Sequence, residues 1–202
     1  MASALTAPPA PAAFAALPLS VRNVKVSRLV RISRFSSGEP FFGRAGANRF
    51  DDPSQVFGTC YLGFDLPTAF AETALHDEVA VSGRFAVVQS DLDSRHIVTF
   101  ATDAVLTLAN LTGASLKTLG ADGAISTVIP FDLPQRWSAA IHAHPAAVDG
   151  LYYVSRQLND RRAVVVFDRA SAKLQGVHYA PLASSRGLAH VRRLLHVDVV
   201  LP

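Results

Sequence analysis

Apolar and polar residues alternate through "NVKVSRLVRISRF" (23–35), and side chains that change face at every step predict a strand there. Shorter apolar runs bounded by turn residues predict further strands at "TCYLGF", "RFAVVQSDL", "HIVTFAT", "GLYYVSR", "RAVVVFD" and "LLHVDVVLP". Helical spacing marks "DLPTAFAETALHDEVAV" (65–81), with Asp65 at the N-cap and Pro67 in the first turn, and "DLPQRWSAAIHAH" (132–144). A weaker helical segment is expected near "DAVLTLANLTG" (103–113). Between the first strand and "TCYLGF" lies a long Gly-, Ser- and Asp-rich stretch, residues 36–54. A loop of that length in a compact domain is usually functional or disordered. Strands and helices do not alternate regularly, so the pattern indicates an α+β fold and disfavours a doubly wound parallel sheet.

Composition narrows the picture. A chain of 202 residues, half of them hydrophobic, can build one domain with a substantial core. We place that domain at 21–202, preceded by an Ala/Pro-rich tail, residues 1–20, expected to be flexible or draped over the surface. The tail has no basic leading segment and is broken by prolines, so it does not read as a signal peptide. No apolar run reaches the roughly 18 residues of a membrane span. Cys60 is the sole cysteine, which excludes an internal disulfide and fits a cytoplasmic setting. A net charge of +3 could mark an anionic partner, yet the excess of Arg over Lys, with many alanines, fits a GC-rich genome equally well.

Candidate chemistry begins at Glu72, a lone carboxylate among Phe70, Ala71, Ala74 and Leu75. At about 100° per residue no clean solvated stripe contains it. Burying an unpaired charge costs several kcal/mol or more, so Glu72 either reaches water, loosely paired with His76, or serves a site. The residues alone leave both readings open. His142 and His144 suggest metal ligands, but nothing completes a set and a helix-end role fits better. Cys60, beside Tyr61 in a short strand, reads as a small buried hydrophobe rather than a nucleophile. There is no G-x-G-x-x-G or P-loop pattern, and nothing calls for a metal.

Glu72 has company in a fixed order: Arg31 in "RLVRISRF", Arg49 and Tyr61 in "NRFDDPSQVFGTCYLGF", and Ser155 in "GLYYVSRQ". This ordered set, from about Arg28 to Asp168, resembles the RES-domain family, named for an arginine, a glutamate and a serine. Arg28, Arg31 and Arg34 compete for the arginine role on what reads as one strand; "VRI" favours Arg31. The resemblance implies an ADP-ribosyltransferase-like split, twisted β-core with surrounding helices and a cleft for NAD+. It also implies the toxin of a toxin–antitoxin pair that consumes NAD+, silenced by an Xre-like antitoxin seated over the cleft, with two toxin chains in the assembly. The acceptor of ADP-ribose would be a protein side chain, water or phosphate.

On that resemblance each residue has a chemical part. Breaking the nicotinamide–ribose bond puts positive charge on the sugar, which a fixed Glu72 carboxylate would stabilise. Arg31 first and Arg49 second would grip the diphosphate. The face of Tyr61 would hold the cationic nicotinamide ring. Ser155 would hydrogen-bond the nicotinamide amide or a phosphate oxygen. The rival reading from another class is an RNA-binding or ribonuclease-type toxin that uses its arginines on phosphates.

Overall fold

The computed structural model describes residues 5–201, whose ten strands fall into three sheets. The largest has the order β1 (Val21–Lys25), β6 (Val105–Leu111), β7 (Gly150–Val154), β8 (Arg162–Phe167), β3 (Thr59–Gly63), antiparallel except for the β6–β7 pair. A second, antiparallel sheet joins β2 (Arg31–Ser33), β5 (His96–Phe100) and β9 (Val177–Pro181). A parallel pair, β4 (Phe85–Val88) and β10 (Val197–Val200), forms the third. The β-core is therefore split, and the fold class is the α+β expected.

Both faces of the large sheet are buried, which explains its apolar strands. Along β8, Ala163, Val165 and Phe167 enter one layer with Trp137 and Ile141, while Val164 and Val166 enter another with Val98 and Phe100 of the second sheet. In β6, Leu106 and Leu108 face the second layer and Ala109 and Leu111 the first. This two-sided burial corrects the helix expected over 103–113: a strand covered on both faces loses its period of two and reads as a continuous apolar run. Fully burying each such Leu or Val contributes about 1.5–3 kcal/mol. Gly150 is required where β7 meets β8, because a Cβ there would lie 2.0 Å from the carbonyl oxygen of Val165.

The expected single strand over 23–35 is two strands in different sheets, separated by a 3₁₀ turn at Val26–Arg28. The alternation survives the turn because Val24, Val26 and Leu29 all drop into the layer between the sheets, and Ile32 into a third cluster. The helix expected over 65–81 stops early: α2 is Leu66–Ala71, with Glu72 at its C-cap. There the carbonyl of Phe70 accepts from Thr73, Ala74 and Leu75, closing the helix into a turn. Its start is as read, with the Asp65 carboxylate accepting from the backbone of Thr68 at 2.8 Å. In "RFAVVQSDL" the strand ends at Val88 and α3 (Gln89–Asp93) follows. The α6 helix (Arg186–Leu194) and β9 had no clear signal; α6 buries Leu188 and Val191 in the cluster that holds Phe70.

Residues 5–20, for which the sequence suggested a flexible or surface-draped tail, are packed. The short α1 (Pro11–Ala15) sets Phe14, 2% exposed, edge-on to Trp137 of α5 (Asp132–His142), with ring centroids 5.7 Å apart. Trp137 donates its indole N–H to the carbonyl of Thr6 at 2.8 Å. Residues 1–4 of that segment lie outside the described residues.

Candidate active site

A cleft of about 380 Å³ opens where β2, β3, the C-terminal end of α2 and the end of β7 converge, and Arg31, Arg49, Tyr61, Glu72, Tyr153 and Arg156 line it. Four of the five residues singled out from the sequence thus share one wall system. Gly63 also lines the cleft, and a Cβ there would sit 2.9 Å from the amide nitrogen of Ala69. That close approach lets α2 lie on β3 and brings Glu72 to the cleft.

Arg31 is held on both sides of its guanidinium. Its Nε donates to the carboxylate of Glu39 at 3.0 Å and its Nη1 to the carbonyl of Tyr61 at 3.1 Å. The Glu39 side chain is 2% exposed and also accepts from the amide of Phe41 at 2.8 Å. The three competing arginines are separated by the chain's path: Arg28 lies in the 3₁₀ turn over Phe64, and Arg34 is on the surface beside Asp91.

Arg49 comes from the long loop, which is ordered by its own acidic pair. Asp51, fully buried, accepts from the Thr59 hydroxyl at 2.6 Å, the Tyr61 hydroxyl at 3.0 Å and the amide of Asn48 at 2.9 Å. Asp52 accepts from the amides of Ser54, Val56 and Phe57. From this frame Arg49 reaches the carbonyl of Val128 through Nη1 at 2.7 Å and lies 4.6 Å over the ring of Phe131. Its Nη2 is buried without a partner. Burial, and then the neighbouring charge of Arg156, push the Arg49 pKa down. Arg156 is exposed and makes no hydrogen bond or ion pair among the described residues. Two uncompensated guanidiniums on one cleft are suited to an anion.

Tyr61 presents its ring to the cleft while its hydroxyl accepts from the Phe50 amide at 2.9 Å and donates to Asp51. Burial, then the charge of Asp51, raises its pKa well above the ordinary tyrosine value, so the phenol stays neutral. Tyr153 is likewise raised, by burial and then by Glu72.

Glu72 is half-buried and carries a single recorded side-chain bond: the Ser155 hydroxyl donates to its Oε1 at 2.5 Å. Ser155 in turn accepts from the amide of Leu158 at 3.0 Å and is 1% exposed. Its one proton is committed to Glu72, so the direct bond to nicotinamide or phosphate expected from the sequence gives way to a bond that aims the carboxylate and leaves Oε2 free. No bond joins Glu72 to His76, which lines the same cleft and lies 3.9 Å from Asp77.

The family model for the RES domain matches residues 28–186. The chain belongs to the RES domain family. In this RES domain the match begins at Arg28 and ends just inside α6, so it contains every residue of the cleft described above. Among solved structures, the crystal structure of the M. tuberculosis MbcT–MbcA toxin–antitoxin complex is similar, with a TM-score of 0.54 at 14% identity, covering 78% of this chain and 84% of that one. At that identity the likeness speaks for the fold. No curated protein matches this chain.

Sequence reasoning missed Glu39, Asp51, Tyr153 and Arg156. Tyr153 and Arg156 flank Ser155 within the stretch already singled out, and Asp51 follows Arg49 by two; only Glu39 had no local signal. The other tempting residues have structural work. His142 stacks on Phe57 with centroids 3.8 Å apart, and His144 bonds the carbonyl of Leu17 and the amide of Ala146. Among the described residues no group of three His, Cys, Asp or Glu could hold a metal ion, and no helix is long and apolar enough to cross a membrane. Cys60 is fully buried and its thiol is pushed up to about 11 by that burial, which keeps it a hydrophobe.

Proposed function

We propose that this RES domain cleaves the nicotinamide–ribose bond of NAD+ and passes ADP-ribose to an acceptor, acting as the cytoplasmic toxin of a toxin–antitoxin pair. The observation that carries the reading is one carboxylate, Glu72, aimed by Ser155 into a cleft that three arginines line. In the chemistry proposed, the C–N electron pair leaves with nicotinamide, which departs neutral, and positive charge develops on the ribose as an oxocarbenium-like centre. The free oxygen of Glu72 stabilises that charge more in the transition state than in the ground state. The Tyr61 ring holds the cationic nicotinamide before departure. Arg31, Arg49 and Arg156 bind the diphosphate. The acceptor, a protein side chain, water or phosphate, then bonds to the sugar carbon and loses its proton.

The neighbour's printed title names a toxin–antitoxin complex, and on that likeness the proposed partner is an Xre-like antitoxin that covers the cleft and brings two toxin chains together. The deciding experiment follows nicotinamide release from NAD+ by purified protein. Glu72→Gln should fold normally and lose at least about a hundredfold in kcat, the scale of one lost transition-state contact. Near-normal turnover by that variant overturns the assignment. Activity on RNA with none on NAD+ selects the ribonuclease reading.

A further inference from the structure

A second chamber, about 440 Å³, lies beyond Ser155 at the C-terminal ends of the parallel strands β6 and β7, and Arg156 lines both this chamber and the catalytic cleft. Its walls are apolar, from Leu111, Leu116 and Val154, while Thr127 and Asn159 offer hydrogen-bonding groups and Lys117 adds a cation. Apolar walls with a few polar groups suit a flat heteroaromatic ring with apolar faces and polar edges.

We infer that this chamber receives the adenosine half of the dinucleotide, with Arg156 holding the diphosphate at the passage between the two cavities. The inference rests on the NAD+ reading above and extends it. With the reacting ribose at Glu72 and the diphosphate on the guanidiniums of Arg49 and Arg156, the chain of the substrate continues past Arg156, and the chamber that shares this residue is where it arrives. The free guanidinium of Arg156 and the unpartnered Nη2 of Arg49 mark where the negative charge crosses. Binding energy gathered on the adenosine, remote from the bond that breaks, is then available to orient the ribose at Glu72.

The test uses three probes on the full chain: NAD+, nicotinamide mononucleotide, which lacks the adenosine half, and AMP, which lacks the nicotinamide half. Thr127 is exposed, so Thr127→Trp fills the chamber without opening the core. Gly123→Phe fills it from another wall, where a Cβ would meet no atom within 4 Å. Wild type should bind AMP by calorimetry, and each variant should weaken that binding by about tenfold or more. In nicotinamide release each variant should raise KM for NAD+ by about tenfold or more while leaving KM for the mononucleotide within about twofold. Absence of AMP binding to wild type, or variants that affect both substrates alike, overturns the chamber assignment. Because AMP binding needs no turnover, the two readings fail separately. AMP bound and displaced by Thr127→Trp, with no nicotinamide released from either substrate, sinks the cleavage reading and leaves an adenosine site standing.

Discussion

At the scale of single residues, the cleft is built from groups whose freedom has been removed by a second residue. Glu39 fixes Arg31, Asp51 fixes Tyr61, and Ser155 fixes Glu72. A hydrogen bond to a charged group is worth about 1.5–3 kcal/mol. Ser155→Ala should therefore lower kcat for nicotinamide release by about ten- to a hundredfold, with KM for NAD+ little changed, because Ser155 acts through Glu72. A rise in KM with kcat preserved would instead place the hydroxyl on the substrate. Most of the acting residues were legible in the sequence and their holders were not. Glu39 reaches Arg31 from an irregular loop eight residues on, and no periodicity encodes that contact.

At the scale of elements, two short helices decide whether the site assembles. The α2 helix begins at Asp65, whose carboxylate caps Thr68 and pairs with Arg161. Partial burial raises the Asp65 pKa, but the bonds from Thr68 and the pair with Arg161 outweigh it and hold the carboxyl below its ordinary value. A depressed folded value means that this stabilisation is fully present above the unfolded pKa, about 3.9, and is lost as pH falls through the lower folded value. Asp65→Asn keeps a capping oxygen but not the charge. Its melting temperature should lie below that of wild type at neutral pH, and the gap should close as pH drops below about 4; a gap independent of pH would show that the charge contributes nothing. The α1 helix contributes through Phe14, which closes the layer over Trp137. Phe14→Ala should cost about 3–5 kcal/mol in denaturant unfolding, the range for emptying a buried aromatic site, whereas a loosely draped segment would show almost no loss.

At the scale of the whole molecule, the split core leaves an opening between the second sheet, the β3 edge and α2, and the cleft occupies it. An enzyme that consumes NAD+ in its own compartment is toxic unless held silent. Expression of this chain alone should therefore arrest bacterial growth and lower cellular NAD+, and Arg31→Ala should relieve both. Continued growth with abundant folded wild-type protein would count against the toxin reading. Co-expression with an antitoxin that covers the cleft should restore growth with the toxin intact, checked by pull-down and an NAD+ assay on the complex.

The sequence by itself determined the fold class, the positions of most strands, the start of α2 and the ordered set Arg31, Arg49, Tyr61, Glu72 and Ser155. These depend on local rules, namely period, capping and the order of residue types, that survive without knowing what packs on what. Tertiary structure alone decided that 23–35 splits across two sheets, that 103–113 is a central strand, and that the N-terminal segment belongs to the core. In each case the deciding quantity is burial by distant chain: Val26 and Leu29 under the second sheet, Leu106 and Leu111 between two layers, Phe14 against Trp137. It also decided that Ser155 serves Glu72 and that Arg156 faces Arg49, since a bond across 83 residues and the meeting of two like charges exist only once the chain has closed on itself.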